Sequence, residues 1–402
     1  MIQINDKSKC CGCTACMSIC PLKCISMTSD EEGFLYPSVD KNKCVQCGAC
    51  DKVCPIQNVV EETPFEQKAY IVRNKNREIK KASAAGGFFY NLGSYVIKSG
   101  GVVCGVALDE AFHAVHILTD SEEDLIRFAG SKYMQSVVGN KTFACIKTNL
   151  DKGKQVLFSG TPCQVEGLLS FLKEDYSNLI TVDIVCHSVP SPMIFDKYLE
   201  YVSKKYHDTI VDVHFRDKKY SYNFPTMKLV GSKKGEFYHC GMEADPFLRA
   251  FFANICDRPS CYNCHFRKQY RRSDFTIWDC NTVAKDAPEF NDGLGATKIL
   301  IHTEKGCNIL KEIRNSYDLI EMQTKQIINR NSAMFKSNMK SDYRATFFKD
   351  ATVLDGYSLM KKWFPITWKH ILKHKIRIFL QVIGLQDFMR LLKHNTSLQL
   401  YK

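Results

Sequence analysis

Residues 10–21 read Cys10-Cys11-Gly12-Cys13-Thr14-Ala15-Cys16-Met17-Ser18-Ile19-Cys20-Pro21, and residues 44–55 read Cys44-Val45-Gln46-Cys47-Gly48-Ala49-Cys50-Asp51-Lys52-Val53-Cys54-Pro55. Both stretches spell C-x2-C-x2-C-x3-C-P, so the second is an internal repeat of the first. Two-residue gaps let one tight loop aim three thiolates at one iron-sulfur cubane, and the fourth cysteine, carried by the helix that follows, reaches the other cubane of the pair. The spacing therefore assigns Cys10, Cys13, Cys16 and Cys54 to one 4Fe-4S cluster, and Cys44, Cys47, Cys50 and Cys20 to a second. A structural zinc ion takes four ligands, usually as two separated pairs, a pattern that these compressed quartets fit poorly.

Outward from these motifs, the stretch from Asp6 to about Asn58 resembles a bacterial-type two-cluster ferredoxin, with Gly12 and Gly48 where such loops need a small residue against the cluster. Cys11 and Cys24 are surplus to the eight ligands and are expected to be buried, non-ligating thiols. Ten of the twenty cysteines of the 402-residue chain fall within its first 54 residues, which marks an N-terminal module over 1–60. So many cysteines in a chain of this length indicate metal binding in a reducing compartment rather than a disulfide scaffold. With 45% apolar and 24% charged residues, disordered and fibrous classes are excluded. No run of about 18 apolar residues occurs and the first ten residues carry charges, so neither a membrane span nor a secretion signal is expected, and the cytosol is the expected compartment.

The acidic pair Glu61 and Glu62 and residues 64–67 read as a linker, after which strand and helix patterns alternate. Strands are expected at 68–73, 102–108, 114–119, 156–159, 179–185, 210–215, 226–230, 275–278 and 298–303. Helices are expected at 87–98, after Ser121, at 165–173 and at 192–205. This alternation argues an α/β or α+β body, with at least part of its sheet parallel. No G-x-G-x-x-G follows a strand and no G-x-x-x-x-G-K-[ST] exists, so neither a pyridine-nucleotide site nor a P-loop is signalled, and a flavin is the cofactor to look for.

Several segments carry a second resemblance: Ser83-Ala84-Ala85-Gly86-Gly87, Gly130-Ser131-Lys132-Tyr133, Gly160-Thr161-Pro162-Cys163-Gln164, Val185-Cys186-His187-Ser188, Arg216-Asp217-Lys218, and Arg258-Pro259-Ser260-Cys261-Tyr262-Asn263-Cys264. In this order they resemble the beta-subunit family of coenzyme F420-reducing hydrogenases and dehydrogenases, over roughly 68–330. The resemblance implies FAD in the body, a further 4Fe-4S cluster beside it, and two-electron chemistry on a small molecule. It divides the body into 68–150 and 151–345, the latter holding the FAD and third-cluster sites.

Each segment also has a physical reading. Gly86-Gly87 at a helix start would offer open backbone N–H groups to a pyrophosphate, against the plainer reading of a turn. Gly130, Ser131 and Lys132 form a second loop with hydroxyl and ammonium donors, and Ser83 and Thr161 add hydroxyls. Cys163, at a strand-to-helix turn, and Cys186, at the end of the next strand, should emerge on one sheet edge, the usual ligand edge of parallel strands. With Cys261 and Cys264 they make a third 4Fe-4S set, in which Cys256 could replace one member. Cys104, Cys145, Cys240 and Cys307 are expected to be buried small residues. His187 is a candidate proton donor, with a hydrogen-bonded structural histidine as its alternative. The family pattern Asp-Phe-Trp is replaced here by Asp279-Cys280-Asn281, which points to a different substrate.

From Lys361 to Lys402 nine Lys or Arg stand against one acid, Asp387, so this part of the tail (346–402) carries +8 of the net +12. Interleaved aromatic and aliphatic residues make it a basic amphipathic helix or helix pair. Such a helix either packs its apolar side on the body or lies on an anionic membrane surface, at the inner face of the membrane, or on a partner. No nucleic-acid recognition motif appears, so nucleic acid is not an expected partner. The expected function is an iron-sulfur flavoprotein oxidoreductase that passes electrons between an electron donor or acceptor protein or reduced cofactor and a small-molecule substrate, with surface polysaccharide biosynthesis suggested by analogy. The alternatives are a non-catalytic electron-transfer subunit and a zinc-stabilised interaction protein.

Overall fold

The structure, a computed structural model, describes residues 1–328, 332–383 and 385. In the N-terminal module each cysteine motif turns through a left-handed glycine, Gly12 at φ 71° and Gly48 at φ 73°. Short helices Ala15–Ile19 and Ala49–Lys52 follow, and β1 (Ile25–Ser29) pairs antiparallel with β2 (Leu35–Val39). The fourth cysteines do not ride on these helices as expected. Cys20 is the C-cap of the first helix, and Cys54 comes just after the Val53 cap of the second, because each helix ends after one turn or so. The close approach at Gly12 is also not toward cysteine: a Cβ there would lie 2.4 Å from Gln135 Nε2 and 3.1 Å from Arg258 Nη1, both groups of the body.

The body is built on a mixed eight-stranded sheet from β3 (Lys68–Asn74), β4 (Val102–Leu108), β5 (Ala114–Thr119), β6 (Val156–Gly160) and β7 (Leu179–Ile184). A hairpin layer of β8 (Ile210–Ser221), β9 (Phe224–Gly231) and β10 (Gly235–Cys240) lies apart as a three-stranded antiparallel sheet. The chain then returns to the main sheet with β11 (Phe275–Asp279), β12 (Thr297–Ile301) and β13 (Tyr317–Met322). The order in the main sheet is β13-β3-β12-β11-β7-β6-β4-β5. Its centre, β4-β6-β7-β11, is parallel, and the remaining pairings are antiparallel. The central strands are near-continuous apolar runs because helices cover both faces.

Helices Phe88–Lys98 and Glu304–Ile313 pack on one face, with Phe88, Leu92, Val96, Ile309 and Leu310 against Val103, Leu157, Ile180 and Ile299. Helices Thr142–Asp151 and Pro162–Leu172 cover the other face, and there Cys11, Cys13 and Ala15 of the N-terminal module join the same core. A second core joins helix Pro192–Tyr206, the hairpin layer, Phe34 and Tyr36 of the N-terminal module, and the C-terminal helices Arg344–Val353 and Gly356–Trp363.

Some local expectations differ from this structure. The segment after Ser121 is a 3-10 helix, Glu123–Phe128, rather than an α-helix. Helices Arg77–Ala82 and Thr142–Asp151 and strand β10 were not signalled by periodicity, and β8 runs six residues beyond its expected end, to Ser221. Cys104 and Cys240 are buried as expected, but Cys145 is exposed on its helix and Cys307 is half-buried, packed against the edge of the core under helix Glu304–Ile313. The last described helix is Trp368–Val382; Asp387, Arg390, Lys393 and Lys402 of the basic tail lie outside the described residues. No described helix is long and apolar enough to cross a membrane.

Candidate functional site

A cavity of about 1320 Å³ opens at the carboxyl ends of the parallel strands, lined by Ser159–Thr161 at the end of β6, residues 184–189 at and after the end of β7, and Ile277–Asp279 on β11. That is the edge where open α/β sheets bind ligands. Phe89, Phe128, Tyr133, Phe251 and Trp278 supply its apolar walls. Its size exceeds the usual range for a single small molecule, roughly 300–1,000 Å³. Arg216 lines it with Nε buried and without a hydrogen-bond partner, while its Nη1 pairs with Asp279.

The residues singled out for a flavin converge here, with one exception. Ser83, Gly87, Gly130, Ser131, Lys132 and Thr161 all line the cavity. Gly87, at φ 78°, is the N-cap of helix Phe88–Lys98 and turns the helix N-terminus to the cavity. Gly86 does not line it: its N–H donates to Thr297 Oγ1 at 2.9 Å, and a Cβ there would meet the Val72 carbonyl at 2.5 Å. Gly86 is thus required by close approach to the sheet, not as a free donor. Lys132 is likewise turned inward. Its Nζ donates to the carbonyls of Arg127 and Ala129 at 2.9 and 2.8 Å, so it braces its own loop, and burial lowers its pKa to about 7. Thr161 caps helix Pro162–Leu172, with its N–H donating to Gln164 Oε1 at 2.9 Å and its hydroxyl 3.1 Å from Cys163 Sγ.

Lys218 acts in a way that spacing could not reveal. Its buried Nζ donates to the carbonyls of Lys80, Ala85 and Leu294 at 2.8, 2.9 and 2.6 Å, tying the turn that precedes Gly87 to the loop before β12. His187 lines the cavity with Nε2 3.0 Å from Asn254 Oδ1, its ring edge-on to Phe251 at 4.9 Å. Burial lowers its pKa, and the Asn254 acceptor assigns the proton to Nε2. A neutral, hydrogen-bonded histidine fits the structural alternative as well as a donor role.

The four cysteines outside the N-terminal module also come together. Cys163 and Cys264 each lie within charge-interaction range of Cys186, Cys163 of Cys264, and Cys261 of both Cys186 and Cys264. Cys261 sits on the 3-10 turn Pro259–Asn263, and Cys264 follows as its C-cap, held by Ser337 Oγ 2.9 Å from its N–H. Burial, the first cause, raises the Cys186 and Cys261 thiols well above the usual range. Thiols of that kind ionise when a metal takes the thiolate and the proton is released to solvent. Cys256 stays out of this group: it is fully buried in the hairpin-layer core, and its charged neighbours are Asp257 and Arg344.

Cys11 is the cysteine whose position the motif could not foretell. Its thiol contacts those of both Cys13 and Cys163, so it bridges the first cluster loop and the third cysteine set. In the N-terminal module Cys10, Cys16 and Cys54 lie within mutual charge range, while Cys20, Cys44, Cys47 and Cys50 rim a small cavity. Cys24 shares that rim, with its Sγ 3.3 Å from Cys20 Sγ. Among the described residues no three His, Cys, Asp or Glu side chains converge closely enough to hold a single metal ion. A cubane, bound through one thiolate per iron, spreads its four ligands wider.

Comparison with known proteins matches the iron-sulfur chemistry of the N-terminal module. Residues 9–58 match the 4Fe-4S dicluster domain, and residues 153–326 match the C terminus of the coenzyme F420 hydrogenase/dehydrogenase beta subunit. No curated protein matches the chain. A chain in a xenon-derivatised structure of the F420-reducing NiFe hydrogenase complex from Methanosarcina barkeri is 14% identical, with a TM-score of 0.44, covering 75% of this chain and 94% of that one. The protein is an iron-sulfur electron-transfer protein of an oxidoreductase family. With a dicluster domain in front, the chain is related over residues 153–326 to the C terminus of the coenzyme F420 hydrogenase/dehydrogenase beta subunit.

Proposed function

We propose that this chain is an iron-sulfur flavoprotein oxidoreductase, passing electrons between its N-terminal clusters, a third 4Fe-4S cluster on Cys163, Cys186, Cys261 and Cys264, and FAD in the large cavity. One observation carries the reading: Cys186 belongs to the cysteine set and to the wall of the cavity at once. The cavity suits the group in size, in its aromatic walls and in the helix N-terminus at Gly87. When bound, a flavin supplies the exchange between single electrons and a hydride, which iron-sulfur clusters lack.

The chain's own residues do the rest. Cys11 brings the first cluster loop against Cys163, which keeps the path between the two cysteine sets short. Lys218 and Lys132 hold the two loops that flank the cavity, and His187 keeps its Nε2 proton on Asn254 at the cavity wall. Arg216, paired with Asp279, places a guanidinium in the cavity wall, and Asp279 and Asn281 shape the end beside β11. The substrate is a small molecule, with sugar intermediates of surface polysaccharide assembly the first class to screen, and the work is done in the cytosol with a protein or reduced cofactor as electron partner.

Anaerobic purification with iron, acid-labile sulfide, zinc and flavin determined on one sample tests this. About twelve irons and one FAD per chain are expected. About eight irons and no flavin would leave an electron carrier that serves a separate enzyme.

A further inference from the structure

Helix Trp368–Val382 is turned inside out. Successive residues on an α-helix are about 100° apart, so Trp368, Ile371, Leu372, Phe379 and Val382 form one stripe and His370, His374, Arg377 and Gln381 the opposite one. A helix packed on a globular body buries its apolar stripe, yet here the polar stripe faces inward. His374 Nδ1 lies 2.5 Å from Glu243 Oε1, Arg377 pairs with the other oxygen of the same buried carboxylate, and the Arg377 guanidinium stacks on Phe224 at 4.4 Å. The apolar stripe is open: Trp368 is 68% exposed, Phe379 63% and Val382 75%, with Ile371 and Leu372 exposed as well. No residue of the helix is buried. Of the three sequence expectations for the tail, packing of its apolar side on the body is therefore not what this helix does.

The charges identify what would cover the stripe. The helix carries Lys369, Lys373, Lys375 and Arg377 and no acid. Lys369 and Lys373 flank the apolar stripe and Lys375 lies within it, all three exposed. Lysine stems can lie along apolar groups while their ammonium groups reach outward, and tryptophan favours the membrane–water boundary. A second copy of the chain would bring the same cations face to face across a two-fold axis, which disfavours self-association through this face. An anionic surface that is apolar beneath its charges complements both features. We infer that helix Trp368–Val382 is an in-plane anchor that docks the protein on an anionic phospholipid bilayer, held to the body through Glu243. Arg377, on the inward stripe, lines the large cavity, so the cavity lies on the body side of the docked helix.

The test uses the full-length, cluster-loaded protein with vesicles of phosphatidylcholine alone and of equal parts phosphatidylcholine and phosphatidylglycerol. Sedimentation with the anionic vesicles only, reversed by high salt, is the expected result. Replacing Lys369, Lys373 and Lys375 by Gln should weaken vesicle binding by about a hundredfold. Trp368→Ser with Phe379→Ser should abolish it. All these side chains are exposed, so iron content and visible absorbance should match the parent and report intact folding. A parent chain that stays in the supernatant with both vesicle types overturns the inference, whether or not it captures a protein partner, and so does a Trp368→Ser/Phe379→Ser variant that sediments like the parent. Neither outcome bears on the cofactor reading, because the assay detects no flavin.

Discussion

The guanidinium of Arg258, fully buried, donates from Nε to the Cys10 carbonyl at 2.8 Å and from Nη2 toward the Cys10 thiol at 3.5 Å. It also donates to Gln135 Oε1 and the Leu35 carbonyl, and stacks on Tyr36 at 4.3 Å. Arg258 immediately precedes the 3-10 turn that holds Cys261, so one side chain ties the first cluster loop to the third cysteine set. A parallel clasp lies nearby, where both Arg344 terminal nitrogens grip the Glu32 carboxylate at 2.7 and 2.5 Å.

Arg258→Met should leave buried acceptors without a donor and cost about 3 kcal/mol or more of stability, read by anaerobic urea denaturation. It should also lower the reduction potential of the cluster bound by Cys10, because a cation and a hydrogen bond at the sulfur favour the reduced, more negative cluster. Redox titration by electron paramagnetic resonance should find the cluster of Cys44, Cys47, Cys50 and Cys20 unmoved. Equal shifts in both clusters would refute this local account.

Cys163→Ser or Cys261→Ser should each remove about four of about twelve irons. Cys145→Ser should remove none, and Cys145, exposed on its helix, should be alkylated in the native protein. Iron analysis with mass-spectrometric mapping of the labelled thiols separates these cases. Retention of all iron in Cys261→Ser would exclude that residue as a ligand.

Lys218→Met should loosen the turn before Gly87, since three carbonyls lose their shared donor. FAD retention should fall by about tenfold or more, the equivalent of about 1.4 kcal/mol, as measured by fluorescence titration of the flavin-stripped protein. An unchanged affinity would mean that this turn does not contact the flavin.

Two buried histidines set an acid limit. His116, stacked on Phe158 with Nε2 3.1 Å from the Ser159 carbonyl, has its pKa lowered by burial to about 4. His302, between Gln67 and Thr276 at 2.8 Å each, is lowered to about 3, by burial first and then by the nearby Arg271 charge. Between those values and the ordinary value near 6.5 the unfolded chain binds more protons than the folded one, so stability rises with pH across that window and is lost as pH falls. Each histidine should cost about 2 kcal/mol between about pH 7 and about pH 5. Urea midpoints measured across that range should show the loss, and His116→Leu should flatten it by about half.

The 4Fe-4S dicluster domain over residues 9–58 was legible from the chain alone, because consecutive residues are tied by fixed bond lengths and a two-residue gap leaves few ways to aim three thiolates. The parallel strands and their ligand edge were legible too, from apolar runs alternating with helical periods. Other features depended on which distant segments pack together. Cys163, Cys186, Cys261 and Cys264 meet because β6 and β7 are neighbours and the turn at Pro259–Asn263 folds back over their ends. Cys11 looked surplus until helix Pro162–Leu172 brought Cys163 against it, and Lys132 and Gly86 looked like ligand donors until their partners within the fold were known. The tail makes the distinction plainest. Its amphipathic period is a property of sequence, since every α-helix turns through about 100° per residue. Which stripe faces the body was decided by a single buried carboxylate, Glu243, whose charge is better met by His374 and Arg377 than by an apolar face.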